Sequence, residues 1–287
     1  MKTVGILALS TGFCLLASVE SKAIAAFSVD FVRAATASIE RIAVFGVDAR
    51  ETPEQFARRH RLDAGEFRRR HAASGVIRCG RARGAGQLTF ADNVVTTAAH
   101  VLFDEAGKPR ADSSHCLFIV DVGANEIATA IDMGSIVTGT TNPYREDAVH
   151  DWAVARLLRP LKEATPYALG APSADAAVRF VARGHSDGGA GSEMSVEDCR
   201  IRDGLETGSE GTREFSFDCA AGLGASGSAL LDASGSRLLA VFVGFRSIAP
   251  EKRLPFSPLN YNFAVTIEGA FRRAIENAAP AKTAETK

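Results

Sequence analysis

Between residues 73 and 267 the chain is a series of short apolar or β-branched runs separated by Gly, Asn and Asp turns. The runs of the first half are SGVIRC, GQLTFA, NVVTTA, CLFIVDV and DWAVARLL. Those of the second half are AVRFVARG, REFSFDC, GSALLD, RLLAVFVGF and NYNFAVTI. Many short strands in succession, without helical patterns between them, are typical of a β-barrel or a β-sandwich. We therefore expect an all-β fold rather than an α/β sheet.

One amphipathic helix comes after this series. Apolar residues recur there at the i, i+3, i+4 spacing of a helix face. They are Ile267, Ala270, Phe271, Ala274, Ile275 and Ala278. The pattern predicts a helix over about residues 266–278. The polar segment 279–287, APAKTAETK, is predicted to be a disordered tail.

The N-terminus has the layout of a secretory signal peptide. Lys2 precedes the apolar run TVGILALSTGFCLLASV, and an A-x-A cleavage site follows at Ala23, Ile24 and Ala25. The alternative is an ordinary buried helix. We predict a signal peptide over residues 1–25 and therefore a secreted or periplasmic protein.

Charge and hydropathy argue against two classes of partner. The 33 basic and 34 acidic residues nearly cancel, which gives a formal net charge of −1 and no general affinity for nucleic acid. No second apolar run has the length of a membrane span. We expect no nucleic-acid binding, and no stable membrane association once the signal peptide is removed.

The cysteine count is informative for an exported chain. Cys14 lies in the predicted signal peptide, which leaves four cysteines in an oxidising compartment with three possible pairings. Pairing within each half of the chain favours Cys79 with Cys116 and Cys199 with Cys219. No Cys-x-x-Cys or His-x-x-x-His spacing occurs, so we expect neither a metal site nor a cofactor.

Residues 26–72 differ in pattern from the strand-rich region after them. Thr52, Pro53 and Gln55 form the pattern of a helix start with a capping box. Six arginines and two histidines then lie between residues 58 and 71. Such a run is typical of a solvated helix face, and the alternative is a pro-segment or processing region. We assign residues 26–72 to a pro-segment or N-terminal extension.

The stretch FDCAAGLGASGSALL, residues 217–231, surrounds Ser226 with small residues. Glycine and serine clusters are usually loops. They are also what a nucleophilic serine requires, because small side chains let backbone N–H groups converge on a substrate oxygen. The stretch by itself does not choose between the two.

A serine nucleophile needs a base, and all the histidines precede Ser226. They are His60, His71, His100, His115, His150 and His185. The order serine, acid, histidine of the α/β-hydrolases is therefore impossible, which disfavours a secreted esterase of that fold. His100 ends the strand pattern NVVTTAAH, so its ring is expected at a strand end with little bulk beside it.

The candidate acid is Asp151, which opens the apolar run DWAVARL. A carboxylate that leads a buried strand needs a partner, and an imidazole N–H would satisfy it. Glu146 and Asp147 are rivals in the preceding polar loop. A capping or surface aspartate remains the alternative for Asp151.

The motifs TTAAH, DWAVARL and GASGSALL, in the order histidine, aspartate, serine, resemble the trypsin-like (chymotrypsin-fold) serine endopeptidases. The secreted bacterial glutamyl-endopeptidase-like branch is the more similar one, and the resemblance covers residues 73–277. It implies two antiparallel six-stranded β-barrels, over about residues 73–160 and 161–266, with the active site between them.

The resemblance also implies roles for individual residues. His100, Asp151 and Ser226 would form the catalytic triad, and the N–H groups of Gly224 and Ser226 the oxyanion hole. Ala220 would lie at the base of the primary pocket. Arg246 would lie near it and favour an acidic side chain, unless it points to solvent.

The family's animal members have an aspartate before the nucleophile, and this chain has Ala225. An alanine cannot form the ion pair by which those zymogens are activated. We predict an exported serine endopeptidase that cleaves protein or peptide substrates through an acyl-enzyme. The alternative is a catalytically silent member of the fold that acts as a secreted binding protein.

Overall fold

The computed structural model of the chain describes residues 43–184 and 193–280. The predicted signal peptide lies outside the described residues, as does the predicted tail from residue 281 onwards. Within the described ranges, no helix has both the length and the hydropathy needed to cross a bilayer.

The described chain begins with two short helices, α1 (Pro53–His60) and α2 (Ala64–Arg70). The predicted capping box of α1 is confirmed, because the Thr52 hydroxyl accepts the Gln55 N–H and the Gln55 side chain accepts the Thr52 N–H. Phe56 and Phe67 pack in one small apolar cluster against Val196.

Residues 43–51 also contact the rest of the chain. Isolated β-bridges join Ala43 to Ala221, Phe45 to Leu254, and Glu51 to Val196. Parts of residues 43–72 therefore pack against the second half of the protein.

The first barrel is a closed ring in the order β1-β2-β3-β6-β5-β4, with antiparallel neighbours throughout. Its elements are β1 (Ser74–Cys79), β2 (Ala82–Leu88), β3 (Val94–Thr97), α3 (Ala99–Leu102), β4 (Cys116–Val122), β5 (Asn125–Thr138) and β6 (Ala153–Leu157). A 3-10 turn, Ala148–His150, precedes β6.

The second barrel is a ring in the order β11-β8-β9-β10-β13-β12 that closes through pairing of β11 with β12. The elements of this half are β7 (Ala168–Leu169), β8 (Ala177–Arg183), β9 (Met194–Thr207), β10 (Arg213–Phe217), β11 (Ala229–Asp232), β12 (Arg237–Arg246), β13 (Tyr261–Thr266) and α4 (Gly269–Ala278). The short strand β7 pairs in parallel with β12 outside the ring. The predicted class, two six-stranded antiparallel barrels with a C-terminal helix, is confirmed.

Aromatic side chains hold each half together. Phe180, Phe217 and Phe242 meet edge to face in the second barrel, with ring centroids 5.3–5.8 Å apart. Trp152 stacks on Phe271 with ring centroids 4.8 Å apart, which fastens α4 to the first barrel.

Both predicted disulfides are present, Cys79–Cys116 between β1 and β4 and Cys199–Cys219 between β9 and the segment after β10.

Candidate active site

The pairing of β3 with β6 brings two predicted site residues to one edge of the first barrel. The strands are antiparallel neighbours, and Thr97 at the end of β3 lies opposite Ala153 at the start of β6. His100 follows three residues after Thr97, in α3, and Asp151 precedes Ala153 by two residues. The strand register alone therefore places the two side chains close together.

His100 and Asp151 are joined by two hydrogen bonds. The His100 ring Nδ1 lies 2.7 Å from Asp151 Oδ2, and the His100 backbone N–H donates to Asp151 Oδ1 at 2.9 Å. An ionised carboxylate only accepts, so the proton of this pair lies on Nδ1 and leaves Nε2 as the acceptor. Asp151 is 4% exposed, so the imidazole supplies the partner that a buried carboxylate needs.

Arg110 connects His100 with Tyr144, which also lines the cleft. Its Nε donates to the His100 carbonyl at 3.1 Å, and its Nη2 donates to the Tyr144 hydroxyl at 2.7 Å. Tyr144 is half exposed, and its ring centroid lies 6.1 Å from that of His100 in an edge-on arrangement. Neither residue was predicted, because only the folded barrel brings them to the histidine.

Ser226 lies in a turn of the second barrel that touches the first. Its carbonyl accepts the Ala85 N–H from β2 at 2.7 Å. The next residue, Gly227, has φ +90° and donates its N–H to the Phe242 carbonyl at 2.7 Å. A Cβ atom on Gly227 would collide with the Ala85 carbonyl, so only glycine permits this close approach.

The residues just before Ser226 form a type II turn. The Ala225 N–H donates to the Gly222 carbonyl at 3.2 Å, and Gly224, the third residue of the turn, has φ +77°. Within residues 43–184 and 193–280, the N–H groups of Gly224 and Ser226 donate to no other group. They are therefore available to an oxygen bound beside the serine.

His100, Asp151, Gly224 and Ser226 all line one cleft of about 680 Å³. Its polar members are His100, Tyr144, Asp151, Ser226, Arg246 and Ser247, and its apolar members include Ala43, Phe242, Val243, Phe245 and Phe263. No hydrogen bond joins Ser226 to His100 among the described residues, and such pairs are often looser without substrate. No three His, Cys, Asp or Glu side chains of the described residues are grouped so that they could hold a metal ion.

Ala220 does not line the cleft. It is buried and is not among the residues that line the cleft, whereas Gly222 is. The Ala220 N–H donates to Glu197 Oε2 at 2.9 Å. Glu197 is 6% exposed, and this burial raises the pKa of its carboxyl to about 7. The sequence pattern did not identify Glu197.

Arg246 lines the cleft, but its charge is compensated. Its guanidinium forms an ion pair with Glu214 of β10, a residue without exposed surface, and lies 4.3 Å from the centroid of the Phe263 ring. Tyr261 accepts a further hydrogen bond from it at 3.3 Å. Arg246 is thus held flat against the wall by groups that sequence reasoning did not identify.

Comparisons with known proteins agree with this architecture. The family model described as "Trypsin-like peptidase domain" matches residues 73–241. A solved structure of a Glu endopeptidase in complex with MPD is similar at TM-score 0.60 and 14% identity, over 82% of this chain and 98% of that one. Mouse neuropsin, a serine protease expressed in the limbic system of the brain, is similar at TM-score 0.50 and 14% identity, over 68% and 89%. No curated protein matches.

At 14% identity these structures support the fold alone. The family model, in contrast, spans more than half of the chain and includes His100, Asp151 and Ser226. The chain therefore belongs to the trypsin-like peptidase family and is a serine endopeptidase.

Proposed function

We propose that the protein is an exported serine endopeptidase in which His100, Asp151 and Ser226 form the catalytic triad. The observation that carries the proposal is the pair of hydrogen bonds from His100 to Asp151, 2.7 and 2.9 Å long, in the cleft that Ser226 also lines. A residue pair fixed in this way beside a serine is what general-base activation of a hydroxyl requires.

In the proposed reaction, His100 Nε2 accepts the Ser226 hydroxyl proton while Oγ bonds to the scissile carbonyl carbon. The N–H groups of Gly224 and Ser226 stabilise the resulting oxyanion. The C–N bond then breaks, the imidazolium gives its proton to the leaving amine, and an acyl-enzyme remains. Water then attacks the acyl carbon while His100 accepts its proton, and the acid leaves as the proton returns to Ser226 Oγ. Asp151 stabilises the imidazolium in both halves of the reaction.

Two features support a role for Arg246 in the pocket rather than in solvent. It lines the same cleft as Ser226, and its side chain rests on the Phe263 ring. Because Glu214 offsets its charge, we propose that Arg246 contributes a flat guanidinium surface more than a net positive potential. Ala220 is proposed to act through the main chain, since it is buried, does not line the cleft, and donates its N–H to Glu197.

Export is proposed from the signal-peptide pattern of residues 1–25 and from the two disulfides, which form in oxidising compartments. Because residues 43–72 are built onto the second barrel, we propose that any pro-segment removed from the chain ends before residue 43. Ala225 is buried in the second core, which is consistent with the proposal that no ion pair forms there.

The decisive experiment compares the secreted protein with Ser226→Ala and with the matched control Ser209→Ala, which removes an exposed hydroxyl of the same barrel. A fluorophosphonate probe should label wild type and the control but not Ser226→Ala. Cleavage of casein and of a peptide library should fall by about 10⁶-fold in Ser226→Ala. Absence of Ser226-dependent labelling would support the silent binding protein, and hydrolysis of esters alone would support an esterase.

A further inference from the structure

Glu197 lies directly behind the wall of the cleft. Its carboxyl accepts the Ala220 N–H at 2.9 Å, and the chain runs on from Ala220 to Gly222, which lines the cleft beside Ser226. Cys219, on the other side of Ala220, is tied by its disulfide to Cys199, two residues beyond Glu197 on β9. The carboxyl and the cleft wall are therefore held at a fixed separation.

The charged groups around Glu197 come from two segments. Asp48 and Arg50 of the N-terminal segment face it, and Arg50 is engaged by Asp48 through hydrogen bonds of 2.8 and 2.6 Å. Asp218, on the segment after β10, accepts from the Arg200 N–H at 2.8 Å and from Arg202 Nε at 2.7 Å. The guanidinium groups of Arg50 and Arg202 are thus each paired with a carboxylate, and burial raises the pKa of Glu197 to about 7.

We propose that Glu197 is a specificity-determining residue, whose carboxyl charge decides how well an acidic side chain is accepted next to the scissile bond. This inference rests on the proposed endopeptidase activity. Protonated Glu197 is neutral and tolerates an acidic side chain in the cleft. Ionised Glu197 places a negative charge beneath the segment that leads to the wall and repels such a side chain.

The size of the effect follows from electrostatics. A like charge at a separation on the order of 10 Å, at an effective dielectric constant of about 20 and with little screening in the cleft, changes binding by up to roughly tenfold. The Ala220 N–H bond has an acceptor oxygen in either protonation state and in a glutamine. Glu197→Gln should therefore keep the wall in place while removing the titration.

The experiment uses the best-cleaved sequence of the peptide library, synthesised with Glu and with Gln before the scissile bond. Both peptides are cleaved by the same proposed catalytic groups, so the ratio of their kcat/KM values cancels any pH dependence of the reaction itself. In wild type the Glu/Gln ratio should fall by about tenfold between pH 5.5 and 8.5. In Glu197→Gln the ratio should stay flat, and in Glu206→Gln, an exposed change of the same kind on β9, it should follow wild type.

A wild-type ratio that does not change with pH would overturn the proposal, and this result does not depend on whether Glu197→Gln folds. An equal pH dependence in wild type and Glu197→Gln would also overturn it. In either case Ser226-dependent cleavage of the library would still stand, so the two proposals fail separately.

An independent test of the Glu197 titration measures the free energy of unfolding as a function of pH. Because the folded pKa is raised, the contribution of Glu197 should be lost as pH rises through about 7, and this loss should be absent in the glutamine variant.

Discussion

The two barrels contribute to the proposed active site in different ways. The first contributes side chains: the end of β3 and the start of β6 present His100 and Asp151, which fix each other by hydrogen bonds. The second contributes Ser226 and the backbone around it, through the type II turn at Gly224 and the close approach at Gly227. Apart from Ser226 itself, changes of side-chain chemistry should therefore act most strongly in the first barrel, and changes of backbone conformation in the second.

The largest effect after loss of Ser226 is expected in the first barrel. Asp151→Asn keeps the shape of the side chain but replaces a pure acceptor by an amide, so the His100 tautomer is no longer set. We expect kcat to fall by about 10⁴-fold with little change in KM. Steady-state kinetics on a library peptide measures this.

The matched control is Asp147→Asn, an exposed carboxyl in the preceding loop. It should have close to wild-type activity. A loss in Asp147→Asn equal to that in Asp151→Asn would contradict the assignment of the acid, and with it the first half of the comparison.

A second prediction concerns the backbone of the second barrel. Gly224→Ala puts a Cβ on a residue with φ +77°, which costs roughly 1–2 kcal/mol and favours rotation of the peptide whose N–H is the proposed oxyanion donor. We expect kcat to fall by about 10²–10³-fold, as for loss of one oxyanion donor.

Gly123→Ala provides the control, because Gly123 has φ +63° and open space around its Cβ position in a turn of the first barrel. It carries the same backbone penalty away from the cleft. We expect both variants to lose similar free energy of unfolding, and only Gly224→Ala to lose activity. Equal activities of the two variants would refute the role of the second-barrel backbone.

The smallest of the expected effects on activity comes from removing one or the other disulfide. Their sequence separations are 37 and 20 residues, so removal by paired Cys→Ser changes should lower the free energy of unfolding by roughly 4 and 3 kcal/mol. Only removal of Cys199–Cys219 should also lower kcat/KM, by a factor of about 10 to 100, because Cys219 adjoins the cleft wall. Denaturant unfolding and peptide kinetics on both double variants test this, and an activity loss confined to the Cys79–Cys116 variant would contradict it.

Local patterns predicted much of this molecule. Alternating apolar runs identified most strands, and the capping box of Thr52 and Gln55 located α1. The two longest strands, Asn125–Thr138 and Met194–Thr207, were not recognised, since much of their length is exposed and polar. Pairing with the strands before and after them defines both, β4 and β6 for the first and β8 and β10 for the second, rather than an apolar pattern of their own.

The pocket wall was harder to predict than the proposed triad, for a physical reason. Spacing from Ser226 suggests which residues form the wall but not which of them reach the cleft surface, and Ala220 is buried and does not line the cleft. Glu197 and Glu214 act on the wall from strands β9 and β10, and only tertiary packing brings them there. The positions of Arg110 and Tyr144 depend in the same way on folding of the first barrel.

The hydrogen bond from Ala85 to Ser226 joins the barrels at the proposed nucleophile. A hinge motion that drew the barrels apart would break it and displace the serine before any substrate arrived. This bond therefore couples any separation of the two halves to the position of Ser226. The Ala85 amide proton offers a direct gauge of that rigidity, since its exchange with deuterium would report how rarely the halves separate.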